Sequence, residues 1–360
     1  MEFYNTEVSE CGKKLVMDVL NSGYLNQGKY VKDLEEGLLK YFTGMPYNIT
    51  TNSCTAAIHI ALKVYGREGR EVYLPGKTFI ATAMAVKAAG YKPIFLDIDP
   101  RTKNINEYIF ERAWINNGAP IIGVSWGGRS CTEELRKIKR KHGRYVIEDA
   151  AHAFGNYESP DWIDARCYSF QAIKALSCGD GGCVAFKDKE KISLYKSLKW
   201  FGIDKDTMTF NECGERIMKV TSDGYKFNMN DLNAALLTGN LTEFYTNREC
   251  RKAIHLRFNQ ITKNPTPEVS SYWLFGIYAK NSRNWIAKAN KDGIPARKMD
   301  SDISKHFGDF HLPNTKLVDE HEIYFPCHHG LTIKDIIQIE KFLQRIIDEG
   351  DFIPDDKLLS

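Results

Sequence analysis

Short apolar runs of strand length alternate along the chain with longer segments of helical periodicity. The runs at 72–75, 91–99, 119–126 and 166–170 are rich in aliphatic and aromatic residues, as buried strands are. Between them, apolar residues recur at helical spacing and predict crossover helices. Strands that alternate with crossover helices form mostly parallel sheets. The sequence therefore predicts an α/β fold built on a mixed, mostly parallel sheet.

Length and composition indicate two domains. With 360 residues, 43% of them hydrophobic, the chain can bury a large core. We expect a large domain over 1–240 that holds the site and a smaller C-terminal α/β domain over 241–360. The pattern predicts one long helix over 236–260 between them. It also predicts a closing amphipathic helix over 333–347, with the acidic tail beyond it frayed.

Two strand-like runs lead into polar residues that suit one cofactor. Asp149 and His152 follow the run at 145–147, while Ser169 and Lys174 belong to the next run and the turn after it. Ligands of open α/β sheets bind beyond the carboxyl ends of strands, so these side chains are expected to share a crevice. A lysine amine, a carboxylate behind a pyridine nitrogen and a hydroxyl for phosphate suit pyridoxal 5'-phosphate (PLP). Taken singly, such an aspartate is usually a helix cap and such a lysine a solvated charge.

A second group of candidates lies nearer the N-terminus. The segment 50–62 reads TTNSCTAAIHIAL, with small and hydroxyl residues at the start of an apolar helix. Free N–H groups at a helix start attract phosphate, so Cys54, Thr55 and Ala56 are candidates for a phosphate cup. The alternative is an ordinary Ser or Thr cap. Phe79 stands near the start of another helix, where an aromatic residue usually belongs to the core.

The motifs EDAAHAFG, SFQAIK and GDGG occur in this order. They resemble the signature of the DegT/DnrJ/EryC1/StrS family of PLP-dependent sugar aminotransferases, which have the aspartate aminotransferase fold (fold type I). The resemblance covers roughly 23–343 and is loose over 294–309. SCTAA together with SFQAIK is most similar to the aminoarabinose-type enzymes that act on 4-keto sugars.

The resemblance implies roles for individual residues. Lys174 is the lysine that bonds to the cofactor, and Cys54, Thr55 and Ala56 match the phosphate-binding position. Phe79 takes the place of the aromatic ring that stacks on pyridoxal, with Asp149, His152 and Ser169 completing the cofactor site. Asn228, in GYKFN, is implied to reach the phosphate in a partner subunit, which requires a homodimer with shared active sites. Tyr24 and His328 are candidate substrate contacts.

Two departures from the family pattern affect the substrate side of the site. Many relatives have a histidine where this chain has Ser125 or Trp126, and His329 stands where proline is usual. The first departure means that the family's sugar-facing residues do not carry over in detail to this chain.

The resemblance implies a transaminase that moves an amino group from L-glutamate to a nucleotide-linked keto sugar. The expected position is C4 of a 4-keto-6-deoxy or 4-keto pentose sugar. Three alternatives remain open: a 3-aminotransferase, a PLP-dependent sugar dehydratase and a non-catalytic sensor that binds PLP. The dehydratase branch has a histidine in place of Lys174, so the lysine favours transamination.

Charge and cysteine usage exclude other classes of protein. The net charge is only +3, from 49 basic and 46 acidic residues, with no long basic run for a nucleic acid. The nine cysteines are scattered without a CxxC pair, which indicates reduced thiols, no metal site and a cytoplasmic location. No stretch has the length and hydrophobicity of a membrane span.

Overall fold

The computed structural model describes residues 1–66, 71–113, 118–156 and 162–358. A seven-stranded sheet with the order β1-β7-β6-β5-β4-β2-β3 forms its centre. Its strands are β1 Tyr47–Thr51, β2 Glu71–Pro75, β3 Lys92–Leu96, β4 Ile121–Val124, β5 Val146–Asp149, β6 Ala165–Ser169 and β7 Gly182–Phe186.

Helices connect and cover these strands. They are α1 Glu10–Ser22, α2 Lys29–Asp33, α3 Lys40–Thr43, α4 Cys54–Tyr65, α5 Ile80–Ala88, α6 Glu107–Arg112, α7 Thr132–His142, α8 Ile192–Leu198, α9 Asp231–Leu241, α10 Phe244–Thr262, α11 Ser282–Lys291, α12 Pro313–His321 and α13 Ile333–Asp348. A short exposed hairpin, β8 Thr209–Phe210 with β9 Arg216–Ile217, follows α8. Among the described residues, no helix is both long and apolar enough to cross a membrane.

Six of the seven central strands run in one direction. Strands β3, β2, β4, β5 and β6 pair in parallel, and β7 lies antiparallel between β6 and β1. The prediction of a mixed, mostly parallel α/β sheet is confirmed. The parallel strands end at one edge, so the segments that follow β1, β2, β4, β5 and β6 meet there.

Both faces of this sheet are buried, which explains the apolar runs in the sequence. Alternate residues point to opposite faces of a strand. Ile122 and Ile147 therefore belong to one core cluster, while Ile121 and Val146 belong to another. A sheet covered on both faces selects continuous hydrophobic strands.

A second, antiparallel sheet lies in the C-terminal part of the chain. It has the order β11-β10-β12, where β10 is Phe275–Ala279, β11 is Glu322–Phe325 and β12 is Phe352–Ile353. The predicted closing helix is confirmed as α13. It begins with a capping box in which Thr332 and Asp335 bond each other's backbone N–H.

The expectation of a frayed tail is wrong for the residues up to 358. Beyond α13 the chain turns back, and β12 pairs with β10. The indole Nε1 of Trp285 also donates a hydrogen bond of 2.7 Å to Asp351. The edge of β10 and the indole of Trp285 thus hold this acidic segment in place.

The single helix predicted over 236–260 is also wrong, because α9 ends at Leu241 and α10 begins at Phe244. The hydroxyl of Thr242 donates to the carbonyl of Gly239 at 2.6 Å. Such side-chain bonds compete with the helical ladder, and glycine is a weak helix former, so the helix breaks here.

Candidate active site

A cavity of about 470 Å³ opens at the carboxyl edge of the central sheet. Segments that follow β1, β2, β4, β5 and β6 contribute to it: Cys54 follows β1, Phe79 follows β2, and Trp126 follows β4. Its lining residues are Tyr4, Ser53, Cys54, Thr55, Ile58, Thr78, Phe79, Ala81, Thr82, Val124, Trp126, Asp149, Ala151, His152, Ser169, Gln171, Ile173, Lys174, Asp180, Gly181, Trp273, Leu274, Met299 and Asp300.

Asp149 ends β5 inside this cavity and is held from two sides. Thr82 Oγ1 donates to its Oδ2 at 2.6 Å, and the backbone N–H of Ala151 donates to Oδ1 at 3.1 Å. Burial raises the pKa of Asp149, while these two hydrogen bonds and the charge of Lys174 act in the opposite direction. The carboxylate is therefore fixed in place, and a cation close to it favours its charged form.

Lys174 follows β6, and its amine has an unusual protonation equilibrium. Burial lowers the pKa of Lys174 to about 8, and the nearby charge of Asp149 only partly offsets this effect. The amine nitrogen lies 4.4 Å from the centre of the Trp273 ring. A lysine with a lowered pKa exposes a neutral, nucleophilic amine near physiological pH, as covalent catalysis requires.

His152 forms part of an aromatic wall. Its ring centre lies 4.0 Å from that of Trp273 and 5.1 Å from that of Trp126. The backbone N–H of Gly127 donates to His152 Nδ1 at 3.2 Å, which assigns the ring proton to Nε2. Burial lowers the pKa of His152 well below its usual value. The ring is therefore neutral and suited to packing against a flat ligand.

The start of α4 has the features of an anion cradle. Ser53 caps the helix by accepting from the N–H of Ala56 at 3.1 Å. The N–H of Thr55 lies in the first turn, where N–H groups have no acceptor within the helix. Gly182 packs directly behind this turn. A Cβ on Gly182 would lie 2.3 Å from the backbone carbon of Ser53 and 2.5 Å from the nitrogen of Cys54. Only glycine permits this approach, and together with Ser169 the turn fits a phosphate group.

The structure brings most of the candidate residues together. The cavity lining contains Cys54, Thr55, Phe79, Asp149, His152, Ser169 and Lys174. Ala56 is not part of this lining, and its N–H donates to the side chain of Ser53 in the cap of α4. With a carboxylate, an amine, a neutral imidazole and a phosphate cradle in one cavity, the residues present fit PLP.

Asn228, Tyr24 and His328 do not line this cavity in their own chain. The amide nitrogen of Asn228 lies 3.3 Å from Oδ1 of Asn26, in the turn that also contains Tyr24. Tyr24 is 59% exposed. His328 Nε2 lies 3.0 Å from the backbone oxygen of Glu2. The roles of these three residues stay predictions.

Sequence reasoning missed several lining residues. Thr82 donates a hydrogen bond to Asp149, but in the sequence it is only one of several small residues on an apolar helix. Trp273 reads as part of an alternating strand, yet Tyr272 has a φ of 54°, and this turn precedes the strand and carries the indole into the cavity. Met299 and Asp300 lie in the segment where the resemblance is loose.

Comparison with known proteins identifies the family of this chain. A model of the DegT/DnrJ/EryC1/StrS aminotransferase family matches residues 7–344. SpsC of Bacillus subtilis, a spore coat polysaccharide biosynthesis protein, is 36% identical over 228 residues, which are 61% of this chain and 58% of SpsC.

Solved structures share the fold. Spr1654 from Streptococcus pneumoniae in its PMP form has a TM-score of 0.86 at 23% identity, covering 97% of this chain and 99% of that one. PseC from Helicobacter pylori, an aminotransferase involved in pseudoaminic acid biosynthesis, has a TM-score of 0.84 at 24% identity with the same coverage. The fold is therefore that of the fold type I PLP enzymes, and by its sequence the chain belongs to the DegT/DnrJ/EryC1/StrS aminotransferase family.

Proposed function

We propose that this protein is a PLP-dependent aminotransferase that moves the amino group of L-glutamate to a nucleotide-linked keto sugar. One observation carries the chemistry. Lys174, with its pKa lowered to about 8, shares a cavity with the buried carboxylate of Asp149. A pyridoxal enzyme needs a lysine amine that bonds to the cofactor and transfers protons, and a carboxylate that faces the pyridine nitrogen.

The proposal of PLP as cofactor rests on the fit of the cavity and on the family. Asp149 would face the ring nitrogen, His152 and Phe79 would pack on the ring, and Ser169 with the start of α4 would hold the phosphate. A solved structure of Spr1654 is in the PLP form. When bound, PLP supplies an electron sink for the charge that develops at the α-carbon of the amino donor.

The residues of this chain perform the proton transfers around that chemistry. The neutral amine of Lys174 would accept the α-proton of glutamate at Nζ and return it on the other side of the transferred nitrogen, to the carbon that receives the amino group. Thr82 and the N–H of Ala151 donate to the two oxygens of Asp149 and favour its anionic form, against the effect of burial, which raises its pKa. His152 and Trp273 close one side of the cavity with neutral rings and keep water from the reacting atoms.

We propose C4 as the aminated position. The support is the resemblance of SCTAA and SFQAIK to the enzymes of 4-keto sugars. PseC and SpsC, which are named for pseudoaminic acid and spore coat polysaccharide biosynthesis, support an amino-sugar product. The lysine at position 174 disfavours the dehydratase, and a sensor would have no need of an amine with a lowered pKa.

We further propose a homodimer that works in the cytoplasm. Asn228 lies outside the cavity of its own chain, as a residue that reaches a partner's phosphate would. Apolar side chains on and after α1 are exposed and would suit a subunit interface; they are Met17, Leu20, Tyr24 and Leu25. All nine cysteines are free, which fits a reducing compartment.

Product analysis tests the proposed reaction. The protein loaded with PLP is incubated with L-glutamate and a panel of nucleotide-linked 4-keto and 3-keto sugars, and the products are examined by NMR. We expect 2-oxoglutarate and an amine at C4. An amine at C3 would replace the proposed position, and elimination of a hydroxyl without amination would establish the dehydratase instead.

A further inference from the structure

The cavity has one wall that comes from the C-terminal part of the chain. Besides Trp273 and Leu274, this wall contains Met299 and Asp300. Their segment is fixed to the loop after β2, because the N–H of Thr78 donates to the carbonyl of Ser301 at 2.9 Å. Lys77 Nζ also donates to Ser301 Oγ at 2.7 Å. Asp300 is thus placed by bonds on its neighbour rather than by a flexible loop.

The carboxylate of Asp300 is charged and has free acceptor positions. Lys305 Nζ lies 2.5 Å from Oδ1, and His306 Nε2 lies 3.6 Å from Oδ2. The hydrogen bond from Lys305 lowers the pKa of Asp300. A carboxylate has about four lone-pair sites, and the side chain remains 64% exposed. Asp300 can therefore accept further hydrogen bonds from a ligand.

The charge of the cavity decides which ligand group suits Asp300. Three carboxylates line it, those of Asp149, Asp180 and Asp300, while Lys174 is the one ammonium group among the described lining residues. The carboxylates of glutamate and the diphosphate of a nucleotide sugar have no proton to donate to Asp300, and its charge, which Lys305 compensates only in part, disfavours them. The hydroxyls of a sugar are hydrogen-bond donors and are attracted to it.

We propose that Asp300 is a specificity-determining residue that accepts hydrogen bonds from hydroxyl groups of the acceptor sugar. This inference rests on the proposed function and adds the sugar-facing residue to it. Asp300 favours the polyhydroxylated acceptor and disfavours the dicarboxylate donor, so the same residue affects the two half-reactions in opposite directions.

The test compares Asp300→Asn with Asp302→Asn in the PLP-loaded protein. Asp302 lies two positions away and accepts from Ser304 Oγ at 2.6 Å, but it does not line the cavity, so it is the matched control. The acceptor probe is dTDP-4-keto-6-deoxyglucose, or the nucleotide sugar of the panel that the wild type aminates. Inhibition by thymidine diphosphate, or by the corresponding nucleoside diphosphate, reports the diphosphate contribution without the sugar.

For Asp300→Asn we expect the ratio of the acceptor KM to the inhibition constant of the nucleoside diphosphate to rise about tenfold. The KM for glutamate is expected to stay equal or to fall. Asp302→Asn should change neither, and Asp300→Glu should restore part of the loss. A ratio that stays within twofold of the wild type, or a parallel rise in both KM values, would overturn the inference. If the wild type aminates no keto sugar at all, the proposed function itself fails, which is a different result.

Discussion

The buried ion pair between Lys77 and Glu322 allows a quantitative prediction. Lys77 Nζ lies 2.6 Å from Glu322 Oε1, and the two side chains are 1% and 0% exposed. The amine also lies 4.7 Å from the ring centre of Trp126, which lines the cavity. Because charges buried without a partner are poorly solvated, removing one member of such a pair costs about 3–5 kcal/mol.

We expect Lys77→Met to lower the free energy of unfolding by about 3 kcal/mol, the smaller end of that range. Glu322 would keep the hydroxyl of Tyr324 at 2.6 Å and the amine of Lys103 at 3.7 Å. Glu322→Gln should cost about as much, because the amine of Lys77 is left without its counter-ion. The double variant removes both charges and should cost less than the sum by at least about 2 kcal/mol.

Urea unfolding followed by tryptophan fluorescence measures these changes. The matched control is the exposed pair of Lys288 and Glu349, whose nitrogen and oxygen lie 3.0 Å apart at 37% and 47% exposure. Lys288→Met should cost less than about 1 kcal/mol, because solvent screens exposed pairs. Equal costs for Lys77→Met and Lys288→Met, or strict additivity in the double variant, would refute the reasoning.

Three further predictions concern the cavity. The pKa of Lys174 is about 8, so the fraction of neutral amine, and with it the rate of PLP capture by the apoprotein, should rise about tenfold from pH 7 to 9 and then level off. Stopped-flow absorbance measures this rate. A rise of about a hundredfold without a plateau would indicate a lysine with an ordinary pKa. Thr82→Val removes the 2.6 Å bond to Asp149 and should lower kcat about tenfold or more, whereas Thr82→Ser should retain activity; equal kcat values would contradict this role. Gly182→Ala should weaken PLP binding in equilibrium titrations by at least about tenfold, because the new Cβ meets the backbone of Ser53. The control variant Gly37→Ala, whose new Cβ has no atom within 4 Å, should bind PLP normally.

The cofactor side of the site could be predicted from the sequence because its residues follow strand ends. Asp149, Ser169 and Lys174 lie at or just after β5 and β6, and the parallel arrangement of these strands brings their ends to one edge. The local apolar pattern was enough to locate the strands. The parallel pairing of β5 and β6 then places the residues that follow them close together.

The substrate side could not be predicted in this way. Trp273 and Asp300 lie 99 and 126 positions beyond Lys174, and they reach the cavity through a turn at Tyr272 and through bonds on Ser301. Local periodicity contains no information on such long-range contacts. At the break between α9 and α10, the hydroxyl of Thr242 bonds to the carbonyl of Gly239, a contact that a helical pattern does not predict.

The central claim is that Lys174 bonds covalently to PLP and releases it to glutamate. The most direct measurement is borohydride reduction of the PLP-loaded protein, followed by peptide mass mapping, with and without prior incubation with L-glutamate. Lys77 is an internal control, since burial also lowers the pKa of Lys77 to about 8 and it does not line the cavity. We expect a pyridoxyl label on Lys174 alone, and its loss after glutamate. A label on Lys77 or on scattered lysines, or a Lys174 label that glutamate leaves unchanged, would contradict the account.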